Sequence, residues 1–504
     1  MLFTTGCVPD PSRTGSAPSG RGCEWNPKTQ GTCYWYRKVS SKIRTQYAVP
    51  DPTTPLSIFE MIDYALWNNP DTKKSWADAR AAAYNVGMEK SALYPTVSVQ
   101  ETLAFIKESS GGGVNSSIIS NVTDVSGTAG AGIAGGTNGI GGFGNNPQYF
   151  QVLVTDLLLS YLILDFGGRE GNIEAARQAL YASDWLHNRT LQTVIINVID
   201  AYYQEINDAA LYLASLRTLE DAKMALDSAQ TMLSVGIKTI ADVLQAKATY
   251  AGSQLNVVDT AGNLKISQGK LARTLGLPAD THLEVQVIPE NLEVQKVSTS
   301  IEELMCIAKQ NRPDLAAVHA QLLQKQAELR VAQSAALPTL TGNVDIEDDH
   351  FINNTRLDGY TYTGAVVLDV PIFSGFFYVN QIKQAREEVR SAYASLQNKM
   401  YDILLEVLES YYKYQTALEN LGYSKDYLDA SRMNYDVALA NYKNGVGTIL
   451  EVLNALKDLA QARSQFIESR TEWLTSIAGI AYTTGTIGNN PDFLPIKRDK
   501  GLNQ

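Results

Sequence analysis

The sequence predicts a mixed fold: an all-α tunnel of long coiled-coil helices joined to strands of a transmembrane β-barrel, built by tandem duplication within one chain. Three observations carry this expectation. Landmarks of the first half recur in the second at a constant offset. Two long proline-free stretches keep helical apolar spacing. Short segments ahead of each stretch alternate apolar and polar residues.

The duplication comes first. Asn69-Pro70-Asp71 opens a helical stretch that closes at Leu93-Tyr94-Pro95-Thr96, and Arg312-Pro313-Asp314 opens one that closes at Leu337-Pro338-Thr339, with equal spacing between the prolines. Beyond these, Ala176-Arg177 matches Ala385-Arg386, Tyr202-Tyr203 matches Tyr411-Tyr412, and Met224, Gly236 and Gly276 match Met433, Gly445 and Gly485. Each half therefore reads as helix, strand pair, very long helix, shorter helix.

The strand pairs rest on period-two patterning. Val97, Val99, Leu103 and Phe105 fall on one face, interrupted by Glu101, and a second strand runs from about Tyr149 to Phe166. In the other half Leu340, Val344 and Ile346 alternate with polar neighbours, and Tyr360, Tyr362, Val366, Leu368, Val370 and Ile372 share a face. Aromatic residues at strand ends fit the girdles of a membrane barrel. Four strands cannot close such a barrel, and open edges in lipid leave backbone groups unpaired. Pooling the strands of three copies gives a closed ring of twelve.

The helices pass a length test. From about Arg169 to Ser234 apolar residues recur at three- and four-residue steps (Leu191, Ile195, Val198, Tyr202, Ile206, Ala209, Leu213, Leu216), and a similar stretch runs from about Phe376 to Lys443. At 1.5 Å per residue each is about 100 Å long, and the two shorter helices of one half sum to roughly 93 Å. One long helix can thus pair along its length with two shorter ones, with the strands at one pole and the Gly236 and Gly445 turns at the other.

The implied organisation is a leader and amino-terminal extension over 1–55, with a possible lipid anchor. A first repeat follows over 56–279 (hairpin 96–166, helices 169–234 and 237–275), then a connector over 280–300. A second repeat covers 301–485 (hairpin 339–373, helices 376–443 and 447–484), and a tail covers 486–504.

Composition excludes several function classes. The net charge of −11 disfavours nucleic acid as a partner, because phosphate binding needs clustered Lys and Arg. No apolar run reaches the roughly 20 residues of a membrane-spanning helix, so insertion in a bilayer requires strands. The four histidines (His187, His282, His319, His350) have no metal spacing, and no nucleophile motif occurs, so no enzyme, metal or cofactor is expected. Gly130–Gly135 and Gly139–Gly144 formally match a dinucleotide fingerprint, but they lie in a glycine-rich tract without the flanking strand and helix. That tract reads as a long loop between the first two strands.

Of four cysteines, Cys7 follows Thr4-Thr5-Gly6 as the acylated residue of a bacterial lipoprotein does, although Thr4 replaces the usual Leu and only six residues precede Cys7. Cys7 is either lipidated or an ordinary leader residue. If it is acylated, Cys23 and Cys33 remain as a pair able to close a disulfide in an oxidising periplasm. Cys306, in an apolar helical segment, reads as a small core residue.

The turn sequences Val235-Gly236-Ile237-Lys238-Thr239-Ile240-Ala241-Asp242-Val243-Leu244 and Tyr442-Lys443-Asn444-Gly445-Val446-Gly447-Thr448-Ile449-Leu450-Glu451 resemble the two periplasmic turns of TolC-type outer-membrane efflux factors. The corners Phe166-Gly167-Gly168-Arg169 and Pro371-Ile372-Phe373-Ser374-Gly375 are also similar to that family, and the resemblance spans Leu56 to Gly485. It implies a homotrimer in the outer-membrane lipid with a twelve-stranded barrel and a helical tunnel through the periplasm. The tips would dock on a periplasmic adaptor protein tied to an inner-membrane transporter, for small-molecule efflux or type I protein secretion.

The resemblance places Glu451 and Asn454 at the family's channel constriction and Asp242 and Tyr442 at its aperture tethers. Val235, Gly236, Ile237, Gly445, Val446 and Gly447 fall at the adaptor-docking tips. The chain departs from the family pattern at Asn454, which is neutral, and at Gly447, where some members carry a basic tether. A ring of three Glu451 carboxylates would favour cations; the plainer reading is a solvated helix residue. The competing reading for the whole chain is a coiled-coil scaffold without a pore.

Overall fold

The computed structural model describes Trp25 and residues 55–108, 148–286, 299–352 and 358–488. The glycine-rich tract, Cys7, Cys23 and Cys33 lie outside them. In chain order the elements are α1 (Ile58–Asn68), α2 (Pro70–Lys90), β1 (Thr96–Glu108), β2 (Gln148–Leu164), α3 (Gly168–Ser234) and α4 (Ile240–Thr274). The second half repeats them as α5 (Ile301–Asn311), α6 (Pro313–Ser334), β3 (Thr339–Phe351), β4 (Gly359–Asp369), α7 (Phe377–Lys443) and α8 (Ile449–Thr483).

The halves match closely. α3 and α7 have 67 residues each, and α4 and α8 have 35 each. Even the close approaches recur: a Cβ on Gly276 would lie 2.8 Å from the Asn68 carbonyl, and one on Gly485 would lie 2.8 Å from the Asn311 carbonyl. Side chains at these positions would push the helix ends apart.

Pro70 and Pro313 start helices as expected, and short helices α1 and α5 precede them; two other expectations are corrected. Pro70 and Pro313 sit at the first position of a helix, where the missing N–H costs nothing, so they mark a corner between two helices. α4 begins at Ile240, not 237, because Ile237–Thr239 close the turn. Val370 and Ile372 follow the end of β4 at Asp369.

The chain divides into two compact units, Met1–Tyr84 with Arg177–Gln324 and Arg390–Gln504, and Asn85–Ala176 with Lys325–Val389. The second holds the sheet, an antiparallel meander in the order β1-β2-β3-β4. Its register pairs Val97 with Leu159, Leu159 with Val344, and Leu340 with Leu368.

Alternation then separates two faces. One carries Val97, Val99, Leu103, Leu159, Tyr161, Val344, Tyr360, Tyr362, Val366 and Leu368, all exposed, Tyr360 by 74%. The other carries Gln100, Asp156, Ser160, Asn343, Asp345 and Glu347, with Ser160 donating to Asn343 at 2.8 Å. A sheet with its greasy face outward is inverted relative to a water-soluble sheet. Among the described residues neither β1 nor β4 has a partner on its outer edge.

The first unit is helical, with two apolar clusters. The larger joins α1 (Ile58, Met61, Ala65), the middle of α3 (Leu191, Ile195, Val198, Tyr202), Leu271 and Leu275, Ile403 and Val407 of α7, and Trp473 of α8. The smaller lies beside the turns. Ala222, Ala225 and Ala229 of α3 form a seam at three- and four-residue spacing, into which Tyr435, Leu439 and Tyr442 of α7 and Val452, Leu456 and Leu459 of α8 pack. Each large side chain buried there contributes about 1.5–3 kcal/mol.

Two expectations from periodicity fail in this unit. Leu213 and Leu216 are exposed, whereas Ser215 and Thr218 are buried, because the buried stripe rotates around α3 toward the alanine seam. Cys306 is exposed, since Leu304 and Ala308 of the same short helix face inward and Cys306 points away from both.

Candidate functional site

The two turns at the ends of α3 and α7 bring the predicted tip residues together. Each is a glycine-terminated helix end of the same construction. Gly236 (φ 78°) donates to the Leu233 carbonyl and Ile237 to that of Met232, while Gly445 (φ 82°) donates to Tyr442 and Val446 to Asn441. A left-handed backbone at these positions is the reason for glycine. The turns project apolar side chains into solvent: Val235 is 61% exposed, Ile237 58% and Val446 80%. Gly447 is buried, and a Cβ there would meet the Tyr442 backbone nitrogen at 3.1 Å.

Glu451 lies on the first turn of α8 and Asn454 on the second, both exposed. Glu451 has a local task as well. Its carboxylate accepts from the Thr448 N–H at 3.3 Å, and its own N–H donates to the Thr448 hydroxyl, a reciprocal cap on α8.

Asp242 and Tyr442 come close without a mutual hydrogen bond. Asp242 accepts from the Thr239 hydroxyl at 3.3 Å. Tyr442 is fully buried with its hydroxyl unpartnered, and burial, followed by the Asp242 charge, raises its pKa above the ordinary value.

The bond between the turns comes from a residue that sequence reasoning passed over. Lys238 Nζ donates to the Gly447 carbonyl at 2.8 Å and sits 5.3 Å from the centre of the Tyr442 ring. Lys238 thus ties its own turn to the one that carries Gly447. The sequence signal was available in Lys238 itself, flanked by Ile237 and Thr239, but its partner is 209 positions away.

Two polar groups deeper in the helical unit were also missed. Arg312, whose side chain is wholly buried, donates to both Asp314 oxygens at 2.9 and 2.6 Å, to Glu406 and to the Thr483 carbonyl. Lys399 reaches the same aspartate at 2.9 Å. Burial alone would raise the Asp314 pKa, but hydrogen bonds from Arg312 and Lys399 outweigh it and hold the carboxyl well below the usual range. Asp184 of α3 is the converse: fully buried, both oxygens unpartnered, and pushed up to about 9 by desolvation. Among the described residues no cluster of His, Cys, Asp and Glu could hold a metal ion, and no helix is long and apolar enough to cross a membrane.

The family described as outer membrane efflux protein matches residues 61–277 and again 304–486, once in each repeat. The chain is similar to Protein CyaE of Bordetella pertussis, with 23% identity over 449 residues covering 87% of this chain and 86% of that protein. It is similar to Outer membrane protein TolC of Escherichia coli (strain K12), with 24% identity over 455 residues covering 87% and 84%. Its fold matches the crystal structure of the Campylobacter jejuni CmeC outer membrane channel with a TM-score of 0.72 and 18% identity, over 85% of this chain and 86% of that one. The chain belongs to the outer membrane efflux protein family, and it is an outer-membrane channel protein of export.

Proposed function

We propose that three copies of this chain pool their sheets into a twelve-stranded barrel, and that the helical parts form a periplasmic duct docking on an adaptor protein. The single observation behind the trimer is the sheet itself, with one exposed apolar face and two open edges. In lipid those edges need partners, and pairing β4 of one copy with β1 of the next supplies them. Passage is passive. The duct carries what an inner-membrane transporter delivers, a small molecule or a protein.

The tips formed by Val235, Gly236, Ile237, Gly445, Val446 and Gly447 are the adaptor contact in this reading, which the exposure of Val235, Ile237 and Val446 supports. Glu451 and Asn454 line the constriction, and Asp242 and Tyr442, together with Lys238, set how far the turns separate.

The test is to substitute Gly236→Pro and Gly445→Pro separately. Proline cannot adopt the positive φ of either turn. Adaptor cross-linking and cellular export should both fall while the oligomer still assembles. Intact cross-linking and export in both variants would remove the docking assignment.

A further inference from the structure

Trp25 is the one residue before position 55 that the structure describes, and it is 3% exposed. It is held by three residues of a single face of α3. Its backbone N–H donates to Asn188 Oδ1 at 2.7 Å, and its carbonyl accepts from Asn188 Nδ2 at 2.6 Å. The indole stacks against Tyr181, with ring centres 5.3 Å apart and planes tilted by 33°, and meets Trp185 edge-on at 5.4 Å. Positions 181, 185 and 188 follow the spacing that aligns side chains along one helix face.

We propose that Tyr181, Trp185 and Asn188 form a docking slot for Trp25 that fastens the amino-terminal arm of the chain to the helical unit. The Asn188 amide exchanges both its bonds with one residue's backbone, as a neighbouring strand would. That contact fixes the direction of the arm but is blind to its side chain. The two rings supply the selection by accepting a flat aromatic face.

The slot reads the ring and not the indole N–H, because Trp25 Nε1 is buried without a partner. Phenylalanine should therefore replace Trp25, whereas alanine should not. Asn188, itself 3% exposed, has its donor and its acceptor both committed to the Trp25 backbone.

Arg21 and Lys28 flank Trp25 and give trypsin a site on either side. The experiment is limited trypsinolysis of the full chain in detergent, following cleavage after Arg21 and Lys28, with cleavage at Lys238 in the same digest as the internal control. Trp25→Ala and Asn188→Ala should each speed cleavage at the two arm sites at least tenfold with the Lys238 rate unchanged. Trp25→Phe should stay within about twofold of the parent protein. Equal arm cleavage in the Trp25→Ala variant and the parent would overturn the proposal. So would a Trp25→Phe variant cleaved as fast as Trp25→Ala. Trp25 lies outside every helix and strand, so its substitution tests the slot even where Asn188→Ala impairs folding.

Discussion

Lys238 and Gly447, on opposite turns, are joined by a single hydrogen bond of 2.8 Å from the lysine ammonium to the glycine carbonyl. The same ammonium lies over the buried Tyr442 ring, so one side chain couples both turns of the chain. Lys238→Met keeps the aliphatic stem and removes the bond, at a cost on the order of 1 kcal/mol. Amide exchange at Val446 and Gly447 should rise about fivefold, and channel opening in a planar bilayer should become more frequent. Unchanged exchange at both amides would show that the bond does not restrain the turns.

Asp184 gives a pH dependence whose sign follows from burial. Its carboxyl is pushed up to about 9 in the folded chain, against an ordinary value near 4. A buried acid of this kind costs nothing in acid, below the ordinary value. The cost grows as pH rises and reaches its maximum above about 9. Thermal stability should therefore decline between pH 5 and 9. Asp184→Asn should flatten that decline and stabilise the protein at pH 8 by roughly 2–4 kcal/mol. A decline as steep in the variant as in the parent protein would mean that burial does not raise the Asp184 carboxyl.

Arg312 behaves oppositely. It is the buried centre of a network that includes Asp314, Glu406 and Lys399. Because the Asp314 pKa is depressed, the network's contribution is fully present above the ordinary carboxylate range and is lost on acidification below it. Arg312→Met takes the guanidinium from Asp314 and Glu406, leaving Asp314 to Lys399, and should cost on the order of 3 kcal/mol, seen as a lower midpoint in chemical denaturation at pH 7. A midpoint within error of the parent protein would contradict the network's structural role.

Glu451 calls for two substitutions, because it both caps α8 and is assigned to the constriction. Glu451→Gln keeps the cap geometry and removes the charge, so it should lower cation preference in a planar bilayer with little loss of stability. Glu451→Ala should lower cation preference equally and also cost about 1 kcal/mol through the lost cap. Selectivity unchanged in both would remove Glu451 from the constriction.

Features set by local chemistry were legible in the sequence. Gly236 and Gly445 announce helix ends that need a left-handed residue, Pro70 and Pro313 announce helix starts, and period two announces the strands with Val97, Val99, Tyr360 and Tyr362 on one face. What local chemistry does not determine was not legible. Leu213, Leu216 and Cys306 were assigned inward because apolar spacing fixes a stripe but not its rotation around a long helix. Lys238, Asp184 and Asn188 act through partners far away in the chain, or through the lack of any, and no spacing rule reports that.

The most direct test is single-particle electron microscopy of the detergent-extracted protein. Threefold particles are expected, in which β4 of each copy pairs with β1 of the next and closes a ring of twelve strands inside the detergent belt. Monomers that remain dispersed after detergent removal, with both sheet edges open, would contradict this.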